Sequence, residues 1–420
     1  MRLAVAVEYR FDRTPDGAVW SETMYTYAFW RRYLEVYEQV LVIARIREVS
    51  SAEPGWTRAD GKRVSFCAVP HYIGPSEYVT QAWRVRRALR GAIAPDDAVI
   101  LRAPGMVSNL VFKRLAANHQ PFGMEVIGDP YDTFAPGTIR HPLRPFFRRW
   151  FTNRLKRQCA SACATAYVTE HALQRRYPAP TEAFVTNYSS VELPDTAFVA
   201  SPRRLNRGSS TATLINVGAF DTLYKAQDVL VDAVAMCVRQ GMDLQLNLVG
   251  SGRHRPDIEA RVRMRRLEDR VHFWGRLPAG EAVRAKLDQA DLFVLPSRAE
   301  GLPRAMIEAM ARALPCIGST AGGIPELLPP EDMVPPDDVA ALGRKIREIE
   351  IDPGRMAQMS ARNLDWAKNY HDSILHERRV AFYQHLREST EAWLRTSIDR
   401  MAYAHMEEYK YHSELMERYR

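Results

Sequence analysis

The sequence predicts an α/β chain built as two doubly wound domains, each a parallel sheet flanked by helices. Three observations predict it. Short apolar strands recur through both halves with helix-like stretches between them. A polar stretch, ASPRRLNRGSST at 200–211, separates the halves. The length of 420 residues, 46% of them apolar, is enough for two cores of ordinary size. In the first half the strands are expected at 3–7, 40–46, 64–69, 98–101, 124–127 and 164–169. A long aromatic helix is expected after the turn Pro15-Asp16-Gly17. In the second half strands are expected at 214–217, 244–249, 271–275, 292–295 and 315–317, followed by long helices over 339–349 and 353–386. The domains are accordingly 1–200, 201–370 and a helical tail, 371–420.

Charge and cysteine usage narrow the class. The net charge is +8 and uneven: residues 1–200 hold 26 Lys+Arg against 19 Asp+Glu, leaving 32 against 31 for the remainder. An anionic surface or acceptor therefore meets the first half. The five cysteines (67, 159, 163, 237 and 316) are scattered without a C-x2-C pair, which argues against a disulfide framework or zinc site and for a reducing cytosol. Met1-Arg2 runs into a strand too short for a signal peptide, and no apolar run reaches the length of a spanning helix. The expected location is cytoplasmic, with peripheral contact at the inner membrane face left open.

The chemistry concentrates in 291–326, ADLFVLPSRAEGLPRAMIEAMARALPCIGSTAGGIPE. It reads as a strand, a polar turn, a helix over 302–313 and a second strand ending in a glycine pair. Glu300 lies in the turn and Glu308 about two helical turns further on, so both can face one cavity at the carboxyl end of the strand, where open parallel sheets bind ligands. The N–H groups of Gly301 and Leu302, with Pro303 in the first turn, leave a positive helix end for an anion such as a diphosphate. The two acids suit sugar hydroxyls instead, since beside a phosphate they would only repel. The plainer alternative is two surface glutamates on a βα unit.

The neighbours of those acids carry more. Glu-x7-Glu as Glu300 and Glu308, preceded by Pro296-Ser297 and followed by Glu308-Ala309-Met310-Ala311 and Gly322-Gly323-Ile324-Pro325-Glu326, resembles the donor-site signature of the family 4 glycosyltransferases. These are retaining enzymes of the two-domain GT-B fold, among them transferases of bacterial polysaccharide and glycolipid biosynthesis. The resemblance implies a nucleotide-diphosphate sugar as donor substrate in the second domain, a saccharide or lipid-linked acceptor on the first, no separate cofactor, and a terminal helix that crosses back to the first domain.

Carried over residue by residue, the resemblance is incomplete. The family's G-R-x5-K-G element corresponds to Gly218 and Lys225, but Ala219 stands at the arginine and Ala226 at the final glycine, so one phosphate clamp is missing. Gly250 and Gly252 form a turn near which the family places the base. Asp129, at the end of a first-domain strand, is the candidate for holding a hydroxyl, with a structural turn as the alternative. Gly128 occupies the place of a histidine found in many relatives. Gly17 is the candidate in the phosphate and acceptor loop, and an ordinary turn is its other reading. No Asp-x-Asp occurs in the second half, so no metal is expected: Lys225 and the helix start at Gly301 to Pro303 must supply the positive charge.

Between Asp132 and Glu170 there is no acid. Arg140, Arg144, Arg148, Arg149, Arg154, Lys156 and Arg157 instead interleave with Phe146, Phe147, Trp150, Phe151 and Leu155. That pattern fits a helix on an anionic membrane and equally a core-facing aromatic stripe with solvated arginines outside. Arg84, Arg86, Arg87 and Arg90 beside Trp83 extend the surface or form a solvated helix face. There is no nucleic-acid-binding motif. On the tail, Leu394, Ile398, Met401 and His405 form a broken stripe, read as a solvated helix or a homodimer contact. The expected function is glycosyl transfer with retention; a nucleotide-sugar epimerase and a catalytically weak nucleotide-sugar-binding subunit are the alternatives.

Overall fold

The computed structural model describes residues 1–139, 141–203 and 211–418, with the backbone alone at position 75 and at 398–418. Position 140, most of the polar stretch at 200–211, and the side chains of Ile398, Met401 and His405 lie outside the described residues. The first sheet contains β1 (Arg2–Arg13), β2 (Val19–Ser21), β3 (Gln39–Glu48), β4 (Thr57–Arg58), β5 (Val64–Pro70), β6 (Ala98–Ala103), β7 (Gly123–Val126), β8 (Ala164–Tyr167) and β9 (Phe184–Asn187). Its parallel strands run β5-β3-β1-β6-β7-β8-β9. β2 and β4 add an antiparallel corner.

The second sheet contains β10 (Ala212–Val217), β11 (Leu244–Val249), β12 (Val271–Gly275), β13 (Leu292–Leu295), β14 (Cys316–Ser319) and β15 (Met333–Val334), in the order β12-β11-β10-β13-β14-β15 with every pair parallel. Both sheets reverse direction of growth at their first strand. In the second the reversal falls between β10 and β13, and the loops leaving those strands part to open a crevice.

Four expected elements differ in the structure. β1 continues past Val7 to Arg13, because after a register shift it keeps pairing with β3 and then takes β2, where polar residues are tolerated beyond the core. The long aromatic helix is one short helix, Tyr27–Arg31, and a 3-10 turn, Arg32–Glu35. Val19 to Ser21 are drawn into the sheet, and Tyr25, Phe29, Trp30 and Tyr33 pack as a ring cluster around Phe11. The expected helix over 302–313 is Arg304–Ala311: Pro303 is its N-cap, and Ala313 in a left-handed conformation (φ 55°) prevents its continuation.

The expected segment 353–386 divides into Pro353–Ala367, a 3-10 turn and Asp372–Arg418, with His371 extended at the break. The last helix lies on the first domain. Tyr37 Oη donates to the carbonyl of Tyr383 at 3.0 Å, and Phe382 and Leu386 sit against Gly123, whose missing side chain makes room for them. No helix among the described residues is long and apolar enough to cross a membrane.

Candidate donor site at the switch point

The β10 loop passes through a 3-10 turn, Leu223–Lys225, into the helix Gln227–Arg239, and the β13 loop carries Pro296 to Pro303. Asn216 Nδ2 donates to the carbonyl of Val294 at 2.8 Å and ties the two strand ends together. Across the crevice Lys225 Nζ donates to Glu300 Oε1 at 2.6 Å, and Ser297 Oγ donates to the same oxygen at 2.6 Å. The pair is sheltered, with side-chain exposures of 14% and 7%. Burial works against the Lys225 ammonium, but Glu300 outweighs it and the pKa is raised.

Arg298 fixes this turn and was not singled out in the sequence. Its backbone N–H donates to the carbonyl of Tyr224 at 2.6 Å. Its guanidinium donates to the Leu223 carbonyl at 2.5 Å, to both oxygens of Asp228 at 3.0 and 2.8 Å, and to Asp337 at 2.6 Å. The turn then closes through Ala226 at φ 53°, left-handed, where the resembled family has glycine. No pattern in a single sequence distinguishes Arg298 from any other loop arginine.

Glu308 lies on the helix Arg304–Ala311. Burial raises its pKa, with Arg304 and Arg284 acting in the opposite direction. Its carboxylate makes no hydrogen bond or ion pair among the described residues, so both oxygens are open to hydroxyl donors. Arg304 acts electrostatically on both Lys225 and Glu308. Its guanidinium is 2.9 Å from Met24 Sδ of the first domain. It supplies a second cation beside Lys225 and Glu308. Nothing in the sequence marks it, because a first-turn arginine is ordinary on a solvated helix.

The glycines explain how the loops fit together. A methyl group on Gly250 would fall 2.0 Å from the carbonyl oxygen of Gly218, and one on Gly252 would fall 2.4 Å from the backbone of Phe220 and Asp221. These positions admit loop against loop, where the sequence suggested backbone against a nucleotide. A methyl group on Gly218 would touch the Lys225 stem at 3.3 Å, and one on Gly301 would fall 2.7 Å from the Ile127 carbonyl oxygen of the first domain. Leu302 is buried beside it, and Pro303 is the N-cap of the helix, which begins at Arg304.

The first domain contributes the facing wall. Asp129 caps the turn at Pro130–Thr133 by accepting from Tyr131 N at 2.8 Å, and also accepts from Arg176 and Tyr177. Its oxygens are engaged, as the structural-turn reading requires. At Gly128 a side chain would meet only Pro104, at 3.7 Å, so the missing histidine is not a matter of space. Gly17 (φ 86°) closes the Thr14 to Ala18 turn with nothing within 4 Å of an added methyl, an ordinary turn position. Glu22 and Met24 reach the second domain instead, at Arg276 and Arg304.

Between the walls lies a cavity of about 700 Å³, lined by Asp129, Asp132 and Arg176 on one side and Glu300, Gly301 and Gly323 on the other. Among the described residues no three His, Cys, Asp or Glu side chains converge as a metal set. The basic-aromatic interval forms the helix Arg144–Cys159 beside this cavity. Its residues divide: Phe147 and Phe151 pack on Phe134, Arg148 lies 3.6 Å over the Tyr131 ring, and Leu143 and Phe146 face outward.

Residues 211–352 match the family described as Glycosyl transferases group 1. The chain is 25% identical to Protein CapJ of Staphylococcus aureus over 331 residues, 77% of this chain and 80% of that one. It is 30% identical over 172 residues to the putative colanic acid biosynthesis glycosyltransferase WcaL of Escherichia coli (strain K12), a match covering 39% of this chain and 42% of the relative. A sucrose-phosphate synthase from Thermosynechococcus elongatus superposes with a TM-score of 0.66 at 19% identity, over 91% of this chain and 99% of that one, which speaks for the fold. The second domain thus matches the group 1 glycosyltransferase family over residues 211–352, and the chain as a whole has the GT-B fold.

Proposed function

We propose that the protein transfers a sugar, with retention at the anomeric carbon, from a nucleotide-diphosphate sugar to a saccharide or lipid-linked acceptor in bacterial polysaccharide assembly. The observation that carries this reading is Glu308, half-buried and unpartnered among the described residues, about one turn into the helix that follows the Lys225–Glu300 pair. Glu308 takes hydroxyls of the donor. On donor binding Lys225 turns from Glu300 to the diphosphate, joined by Arg304 and the free N–H groups of Gly301 and Leu302. Glu300 is then released to hold sugar hydroxyls.

The acceptor oxygen bonds to the anomeric carbon on the face from which the diphosphate departs. The carbon–oxygen bond to the diphosphate breaks, and the acceptor's proton passes to the departing phosphate oxygen. Protein cations stabilise charge that grows as that bond breaks, which is where such groups accelerate a reaction. The association with polysaccharide assembly is supported by the likeness to WcaL.

A catalytically weak binding subunit is the second reading, favoured by the full engagement of Asp129. A thermal-shift screen of UDP, GDP and ADP sugars tests donor binding, because a ligand of the folded state raises Tm. Release of free sugar from the donor that binds separates the two readings.

A further inference from the structure

The cavity between the domains holds two cations that the donor site does not use. Lys156, on the helix Arg144–Cys159, and Arg175, on the helix Ala172–Arg176, both line it and both are exposed. The other charges there are matched. Arg176 bonds Asp129 and Asp132, Arg298 bonds Asp228 and Asp337, and Glu300 holds Lys225. The side chains of Lys156 and Arg175 make no hydrogen bond or ion pair among the described residues. Lys225 does not line this cavity, and Lys156 and Arg175 belong to the first domain, the one read as the acceptor's.

Resting on the transferase reading, we propose that the acceptor carries a phosphate-type anion, and that Lys156 and Arg175 bind it while the acceptor hydroxyl faces Glu300 and Gly301. A guanidinium fork and a mobile ammonium suit a phosphate, the first by directed hydrogen bonds and the second as a point charge. A recess walled by protein weakens such an attraction less than open water does. No acid in the cavity competes for the two groups, since Asp129, Asp132 and Glu300 already have partners.

Inorganic pyrophosphate is the probe, titrated by calorimetry into the full chain saturated with whichever of UDP, GDP or ADP raises its Tm. The wild type binds it. In Lys156→Ala/Arg175→Ala that binding falls at least about tenfold, two charge-assisted contacts being lost. Affinity for the nucleoside diphosphate stays within about twofold, as expected for separate sites. Tm is unchanged, since neither side chain has a partner to lose.

Pyrophosphate binding that persists in the double variant, or that is absent from the wild type, overturns the proposal. An equal loss of nucleoside diphosphate affinity also overturns it, by assigning both cations to the donor's diphosphate. If no nucleoside diphosphate binds at all, the transferase reading fails, and pyrophosphate titrated into Lys225→Ala still shows whether the Lys156–Arg175 site exists. Displacement of pyrophosphate by a soluble hexose phosphate or by phosphatidic acid vesicles distinguishes a water-soluble acceptor from a lipid-borne one; displacement by neither overturns the proposal.

Discussion

Glu326 of the second domain accepts the backbone N–H of Ala172, on the first domain, at 2.6 Å. The same carboxylate takes the N–H groups of Glu170 and His171 at 2.6 and 3.0 Å, so it caps the helix that carries Arg175 and Arg176. The clasp completes a seam in which Gly323 N donates to the Gly301 carbonyl at 2.7 Å, and Gly322 (φ 56°) lies where a methyl group would fall 2.1 Å from the Glu300 carbonyl oxygen. The glycine pair and the acid of Gly-Gly-Ile-Pro-Glu thus hold the Glu300 loop to the first domain.

Glu326→Ala removes three charge-assisted hydrogen bonds at a half-exposed site. It is expected to cost about 1.5 kcal/mol, the low end for bonds to a charged group. Hydrogen exchange at residues 170–172 reads it: protection falls there first, because local opening no longer breaks the clasp. Unchanged protection would mean that the clasp does not hold the domains together.

Glu308→Gln separates stability from function. Burial raises the Glu308 pKa, so the folded state holds its proton to higher pH than the unfolded chain does, and ionisation destabilises the fold above that range. The glutamine variant therefore melts higher than wild type at neutral pH, and the difference closes as pH falls below the ordinary carboxylate range. Donor use weakens by about 1.5 to 3 kcal/mol because a charged acceptor is lost. A variant that melts lower at neutral pH and keeps full donor use contradicts both parts.

Arg298→Ala frees the turn that presents Lys225 and leaves the half-buried Asp228 without its cation, for a loss of about 2 kcal/mol in stability. As a positioning residue it acts through Lys225. The catalytic costs of Arg298→Ala and Lys225→Ala are therefore sub-additive in the double variant, whereas independent roles would give a full sum.

The first domain presents Val79 (72% exposed) and Trp83 (59%) beside Arg84, Arg86, Arg87 and Arg90, and Phe146 (58%) beside Arg149. As a membrane contact for a lipid-linked acceptor, this surface should sediment with anionic vesicles at low salt and release as salt rises. Equal binding to neutral and anionic vesicles counts against its electrostatic part.

Strands β10 and β13 were legible as short, mostly apolar runs closed by Gly218 and Pro296, whereas β15, only Met333–Val334, is too short to give a pattern. Lys225, Glu300 and Glu308 were found through residue order along the chain, and the structure brings Lys225 and Glu300 into contact. Arg298, Arg304 and Arg175 were not singled out, and Lys156 only as one member of a basic run, because what marks them is the partner each has or lacks in space. The aromatic segment after Gly17 misled for a related reason: Tyr25, Phe29, Trp30 and Tyr33 are spaced like a helix face, but pairing of Val19 to Ser21 with neighbouring strands overrides that pattern. Ala226 carries a left-handed conformation that residue type alone assigns to glycine.

Lys225, and not a metal ion, is proposed to neutralise the departing diphosphate. The direct measurement is the single-turnover rate of sugar release from the donor identified by thermal shift, with and without EDTA, for wild type and Lys225→Ala. A wild-type rate insensitive to EDTA is expected, with a fall of at least about a hundredfold in the variant, roughly 2.7 kcal/mol. An EDTA-sensitive wild type together with a fully active Lys225→Ala variant would contradict it.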